Sequence, residues 1–242
     1  MVGFMLDFLG RLGIVSRMND IKPALCSSMD FDVGVYWQGD GWIVEEKKDG
    51  IRCMVHVGHE SVATGRRVDD AGRIQPLMRQ EVAQGWAEEL IGCVFDGELM
   101  EDGTYWIFDL VRDRGDDLRR QPLAERKAAL RSLADWLPAH AKILPWFSNV
   151  RELGAFDEGI VWKDLGAKYV SNEWIKAKRT VTVDVQVLAY EGGGVALTAG
   201  NGRVQGVPED ITPGTMIECT SYGVWPSGKL KSGRFMRVRL DK

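Results

Sequence analysis

Lys47-Lys48-Asp49-Gly50-Ile51-Arg52 is the stretch from which the fold is read outward. Alone it says little. Asp49-Gly50, between Trp42-Ile43-Val44-Glu45-Glu46 and Arg52-Cys53-Met54-Val55-His56-Val57, has the chemistry of a turn closing a hairpin. Four charged and aromatic segments then follow in order: Asp96-Gly97-Glu98-Leu99, Phe108-Asp109-Leu110, Glu158-Gly159-Ile160-Val161-Trp162-Lys163 and Trp174-Ile175-Lys176-Ala177-Lys178. The chain closes on Arg234-Phe235-Met236-Arg237-Val238-Arg239-Leu240-Asp241-Lys242. The set supplies an amine, carboxylates for a hard cation, an aromatic platform and several phosphate-binding cations. Such parts suit transfer of a nucleotide onto a lysine.

With 242 residues the chain holds one large domain or two modest ones. Its net charge of −4 excludes a protein that coats nucleic acid by charge alone. The charge is uneven, however. Lys229, Lys231, Arg234, Arg237, Arg239 and Lys242 crowd the C-terminal tail, with Asp241 the one acid among them. Cys26, Cys53, Cys93 and Cys219 are scattered singly, which fits buried free thiols and not a structural zinc site. No apolar run is long enough to span a membrane. The apolar start, Met1 to Val15, carries Asp7 and lacks a basic lead, so it reads poorly as an export signal. A short amphipathic helix there, or a segment upstream of a start at Met18, is the expectation, with a cytoplasmic monomer as the working form.

Residues 42–110 look β-rich, interrupted by a helix-like stretch in which Leu77, Val82, Trp86 and Leu90 recur at near-helical spacing. The clearest helix is expected over Pro122 to Leu137, opened by a proline and stopped by Pro138, with Arg126, Lys127 and Arg131 on a solvated face. Ile160-Val161-Trp162 resumes the sheet. After Arg179 valines alternate with polar residues, Gly192-Gly193-Gly194 marks a turn, and short strands with Gly/Pro turns run to the end. The fold class is therefore α+β, with a first domain over residues 1–179 and a small all-β domain over 180–242.

The ordered motifs resemble those of the covalent nucleotidyltransferases: ATP-dependent DNA ligases, RNA ligases and messenger-RNA capping enzymes. The resemblance covers nearly the whole chain from about residue 20. It is strongest to ATP-dependent DNA ligases of the minimal two-domain kind found in phages and some bacteria. It implies an adenylation domain followed by an OB-fold; periodicity alone says only small and all-β.

In that family the first lysine of the hexapeptide is the nucleophile, which makes it Lys47 here and leaves Lys48 an exposed strand residue. A lysine ammonium must lose its proton to attack the α-phosphate of ATP, and nearby positive charge from Lys176, Lys178 or a metal favours that loss. Arg52 offers a planar fork to ribose or phosphate. Glu45 matches a position that reads the adenine amino group, a plain surface glutamate being the alternative. Arg66 falls where the family engages phosphate, although Gly65 replaces the usual serine and Arg67 leaves the register open. Phe108 is implied to stack on adenine; an aromatic on a strand is otherwise core. Lys163 closes the Glu158 motif. Lys176 and Lys178 are two apart on a strand and so share a face, as do Asp96 and Glu98. Resemblance makes Glu98 and Glu158 ligands for Mg2+, for which Mn2+ could substitute, and places Arg237 in a last motif that orients pyrophosphate.

The implied reaction moves AMP from ATP to Lys47, then to the 5′-phosphate at a nick in duplex DNA, after which the 3′-hydroxyl seals the strand. Too few residues precede Lys47 for a separate N-terminal DNA-binding domain, so the two catalytic modules would hold the DNA. RNA ligase and GTP-using capping enzyme are the alternatives within the superfamily. From another class, the alternative is a non-catalytic OB-fold protein that binds nucleic acid.

Overall fold

A computed structural model describes residues 21–29, 34, 39–68, 74–170, 172–199, 202–225 and 227–239. The apolar start and the final Leu240, Asp241 and Lys242 lie outside the described residues. The chain divides into two compact units, Met1–Ala177 and Lys178–Lys242.

Two sheets make up most of the first unit. The first comprises β1 (Cys26–Met29), β2 (Trp42–Glu46), β10 (Trp146–Phe147), β11 (Gly159–Asp164) and β12 (Trp174–Lys178), in the order β1-β12-β11-β2-β10. The second runs β5 (Ile74–Pro76), β4 (Val62–Val68), β3 (Ile51–His56), β6 (Val94–Leu99), β7 (Tyr105–Asp113), β8 (Asp116–Asp117), with β9 (Ala141–Ile143) parallel to β7. The expected hairpin is thus corrected. β2 pairs with β10 and β11, β3 pairs with β4 and β6, and Lys47-Lys48-Asp49-Gly50 carries the chain between sheets. Lys47 N–H donates to Gly159 O at 2.9 Å, which carries the bonding to the first sheet one residue past β2.

Apolar residues from both sheets meet in one cluster. Met54, Val94, Phe108 and Val111 of the second sheet pack with Trp174 of the first, and with Ile21 and Tyr169. The other face of the second sheet packs Phe95, Ile107 and Leu110 against Leu130 of helix α1 (Leu123–Ser132). Burial of this order on both faces is the main stabilising term.

Two helix expectations change. The stretch Leu77 to Leu90 holds two 3-10 turns, Gln80–Ala83 and Glu88–Leu90, separated by Gly85 at φ +74°. That left-handed glycine interrupts the helical spacing. Helix α1 ends at Ser132 and continues only as a 3-10 turn, Ala134–Trp136. Its basic residues are also corrected: Arg131 is exposed, but Arg126 and Lys127 are buried. A second short helix, α2 (Val150–Leu153), is capped by the Asn149 side chain.

The second unit contains β13 (Val181–Gln186), β14 (Ala189–Gly192), β15 (Val195–Thr198), β16 (Gly202–Gln205), β17 (Met216–Ser221) and β18 (Gly233–Val238). They form one curled sheet in the order β13-β17-β18-β16-β15-β14, a hydrogen-bonded path with two ends and not a ring. Its core is Val187, Ala196, Val204, Ile217, Cys219 and Leu230. Gly192, Gly193 and Gly194, all at positive φ, form the expected turn between β14 and β15. Met236, which breaks the alternation of the last strand, has no partner in the β17–β18 register, where Arg237 pairs with Glu218 and Phe235 with Cys219. It is the extra residue of a bulge.

Candidate active site

A cavity of about 70 Å³ opens between the two sheets of the first unit. The first sheet contributes Cys26, Glu45, Glu46, Val161, Lys163 and Trp174; the second contributes Arg52, Glu98 and Phe108; Lys47 and Lys48 come from the segment that joins them. Strand alternation explains much of this. Residues two apart share a face, so the face of β12 that points Trp174 into the cavity also carries Lys176, which is half-buried. Phe108 arrives differently. In the β6–β7 register Asp96 pairs with Asp109 and Gly97 with Ile107, so Phe108 is the extra residue of a bulge that turns its ring inward.

Gly97, between the two acidic residues of β6, is required by packing. A Cβ there would lie 2.5 Å from the Tyr105 ring and 2.5 Å from Trp106 O. The Tyr105 hydroxyl in turn donates to Cys53 O at 2.9 Å, tying β7 to β3 across β6.

Four ion-pair groups organise the charge, one of them Lys48 with Glu46. Lys47 Nζ pairs with Glu158, and Glu98 is close enough for the two to act on each other electrostatically. Burial raises the Glu98 carboxyl above its ordinary value, with Arg52 and Lys47 opposing that rise. Arg52 grips the fully buried Asp96 bidentately, Nε to Oδ1 at 2.6 Å and Nη2 to Oδ2 at 2.5 Å. Burial works against the Arg52 charge, but Asp96 outweighs it and raises the pKa well above the usual value. Glu45, also buried, meets two lysines: Lys127 on Oε1, and Lys163 at 2.6 Å on Oε2.

Phe108 lies under both Arg52 and Lys163, each 4.4 Å from its ring centroid, and meets Trp174 edge-on at 5.7 Å. Two buried donors in this cavity lack hydrogen-bond partners: Lys163 Nζ, whose approach to Glu45 is a charge contact only, and Trp174 Nε1. Buried donors are rarely left unmade without reason. A ligand presenting acceptors would satisfy them.

Of the expected site residues, Glu45, Lys47, Arg52, Glu98, Phe108 and Lys163 line this cavity. Glu158 joins them through Lys47. Lys48, expected as an exposed strand residue, is instead half-buried in the cavity wall, paired with Glu46 and 4.9 Å from the Trp106 ring. Arg66 is exposed on β4 and is not part of the lining. Lys178 and Arg237 belong to the second unit. There Lys178 lies 4.8 Å over the Tyr222 ring, and Arg237 pairs with Glu218 at 2.5 Å. Among the described residues no group of three His, Cys, Asp or Glu side chains stands ready for a metal. Two carboxylates with substrate phosphates are nevertheless a common way to hold Mg2+, and Glu98 and Glu158, both near Lys47, are the residues that could do so.

Sequence reasoning missed Glu46, Cys26, Trp174 as a donor, and Lys127. The last was findable: Leu123, Arg126, Lys127 and Leu130 fall at i, i+3, i+4 and i+7, one helix face.

No family model matches the chain. Curated relatives do. A probable DNA ligase of Pseudarthrobacter chlorophenolicus is 27% identical over 238 residues, 82% of this chain and 44% of that protein. A probable DNA ligase of Streptomyces griseus subsp. griseus is 32% identical over 197 residues, 62% of this chain and 38% of that protein. The chain thus spans about two fifths of the length of the curated relatives it matches. Among solved structures, a Lig E DNA ligase covers 90% of this chain and all of its own at TM-score 0.65 and 18% identity. The ligase domain of Mycobacterium tuberculosis LigD covers 93% of this chain and 96% of its own at TM-score 0.56 and 19% identity. With the motif series, the chain is thus similar over most of its length to probable DNA ligases, and in fold to DNA ligase structures.

Proposed function

We propose that this chain seals nicks in duplex DNA with ATP, through a lysyl-AMP on Lys47 and then a 5′-adenylated DNA strand. The observation that carries the reading is the convergence of an amine, two nearby carboxylates, a buried lysine and an unpartnered indole N–H beside an aromatic ring, at one cavity of a chain related to DNA ligases.

Lys47 Nζ attacks the α-phosphorus of ATP. The N–P bond forms, the bond from that phosphorus to the bridging oxygen breaks, and pyrophosphate leaves with the electron pair. The nucleophile is the neutral amine, so the Lys47 ammonium must first pass a proton to Glu158 or to solvent, and a second N–H proton leaves to solvent as the N–P bond forms. Mg2+ held by Glu98 and Glu158 would supply charge neutralisation at the phosphates. Phe108 is the stacking surface for adenine, Glu45 the acceptor for its amino group, and Lys163 and Trp174 supply donors to ring or sugar acceptors. Arg52, held by Asp96, and Lys176 face the nucleotide as fixed cations. In the second step an oxygen of the nick 5′-phosphate attacks the AMP phosphorus and the N–P bond breaks, returning the amine. In the third, the 3′-hydroxyl attacks the activated 5′-phosphate and AMP leaves.

The division of labour follows the two units. The first is the adenylation domain. The second, an open curled sheet of six strands, is read as an OB-type unit. Lys178 and Arg237 would act from that unit, on phosphate and departing pyrophosphate. Arg66, exposed on β4, is left for phosphate at the rim. A monomer suffices for this chemistry.

The test is joining of a nicked DNA duplex against the same nick in RNA, each with ATP or GTP. ATP-dependent sealing of the DNA nick supports the reading. Sealing confined to RNA, or to GTP, would replace it with one of the sister activities.

A further inference from the structure

Lys127 has no place in the motif series, yet it is among the most deeply buried charges in the first unit. It projects from α1 onto Glu45 Oε1 and lies 4.2 Å from the Trp146 ring centroid. Trp146 is itself the cross-strand partner of Glu45 in the β10–β2 pair, and Arg131 stacks on that ring at 3.9 Å. Glu45 is thus gripped by its neighbouring strand and by the helix above it. Lys127 is not part of the cavity wall, whereas Glu45 and Lys163 are. Its influence on a ligand therefore passes through Glu45.

A core helix position filled by methionine would be cheaper to bury than an ammonium. What the lysine adds is a fixed, ionised carboxylate. With Oε1 pinned from behind, Oε2 is the oxygen left on the Lys163 side, where the cavity lies. An ionised carboxylate is acceptor-only. It welcomes the exocyclic N–H of a 6-aminopurine and repels a 6-oxo group. Burial pushes the Lys127 ammonium down to about 8, against the pull of Glu45, while Lys163 lowers it further and Asp109 raises it.

We propose that Lys127 is a positioning residue that holds Glu45 as the acceptor for the 6-amino group of the nucleotide, and so sets base selectivity. This rests on the reading of the cavity as a nucleotide site. It does not require that the transfer reaction occurs.

The test is equilibrium binding of ATP and of purine riboside triphosphate, which lacks the amino group, to the full chain and to Lys127→Met, Glu45→Gln and the double variant. A hydrogen bond to a charged acceptor predicts roughly tenfold preference for ATP in the unmutated chain. Lys127→Met should lose most of that preference by weakening ATP, with purine riboside triphosphate changed less than about twofold. In the Glu45→Gln background, Lys127→Met should do nothing more to the ratio. Equal weakening of both nucleotides, or an unchanged ratio, overturns the proposal and makes Lys127 a fold residue only. Should Lys127→Met fail to fold, the unmutated chain carries the test. The preference should fall between pH 7 and pH 9.5 as Lys127 loses its proton, given the charges that face it: Glu45 on β2, Lys163 on β11, Asp109 on β7 and Arg131 on its own helix. A constant ratio overturns the proposal. Selective binding without a covalent adduct would refute the transfer reaction and leave this inference standing; an adduct without selectivity would do the reverse.

Discussion

Arg126→Met is the substitution whose cost the structure fixes most closely. Arg126 and Asp109 are both fully buried and meet through two parallel bonds of 2.9 Å, Nε to Oδ1 and Nη2 to Oδ2. Nη1 also donates to Gln121 O at 2.7 Å and Ala167 O at 3.1 Å. Methionine fills much of the same space but leaves Asp109 with the Leu110 N–H at 2.9 Å, and takes a donor from Gln121 O and from Ala167 O, the latter keeping the Leu123 N–H at 2.9 Å. Removing one partner of a buried pair costs about 3–5 kcal/mol, chiefly because the other charge stays buried. Against a total stability of about 5–15 kcal/mol this is a large fraction. Every tryptophan except Trp225 precedes Lys178, so fluorescence follows the first unit in a urea melt. With a slope of about 2 kcal/mol/M, the midpoint should fall by roughly 1.5–2.5 M. Asp109→Leu in the same chain should recover most of the loss, because both charges are then gone. A shift under about 0.5 M, or no recovery in the double variant, would refute the assignment of this pair as a coupled buried unit.

Gly97→Ala should cost the first unit more than an ordinary strand substitution, because the added carbon meets Trp106 O at 2.5 Å and the Tyr105 ring at 2.5 Å; overpacking of this kind costs about 1–3 kcal/mol or more, measured as a lowered melting temperature. Lys127 makes stability depend on pH. Its folded value of about 8 lies below the free value of 10.5, so the unfolded state binds more protons between those limits and stability rises with pH across that window. Relative to Lys127→Met, the unmutated chain should gain up to about 3 kcal/mol from pH 8 to pH 10.5 in urea melts, and a flat difference would contradict the burial of that charge. Glu98→Gln should abolish the metal dependence of self-labelling; because burial raises the Glu98 carboxyl, labelling in the unmutated chain should fall on acidification sooner than an exposed glutamate would dictate. Nick binding held mainly by phosphate contacts should weaken at least tenfold between low and physiological salt, and near-constant affinity would count against it.

Strand periodicity made much of the cavity legible, because it sets which side chains share a face, and the motif order supplied the rest. Pairing partners were not legible. Asp49-Gly50 has the same local chemistry whether it closes a hairpin or crosses between sheets, and only the long-range bonds of β2 to β11 and β3 to β6 decide it. The two bulges at Phe108 and Met236 are likewise set by the opposing strand. At Met236 the broken alternation was a visible trace. Charge misled in one place. Arg126 and Lys127 look solvated by residue type, but their helix face is that of Leu123 and Leu130, and buried acids on β7 and β2 await them.

The most direct measurement is the intact mass of the protein after exposure to ATP and Mg2+, with the modified residue mapped by peptide sequencing. The account predicts one adenylyl group, on Lys47, absent from Lys47→Ala and lost when adenylated protein meets a 5′-phosphorylated nick. No adduct, or an adduct on Lys48 that survives in Lys47→Ala, would contradict it.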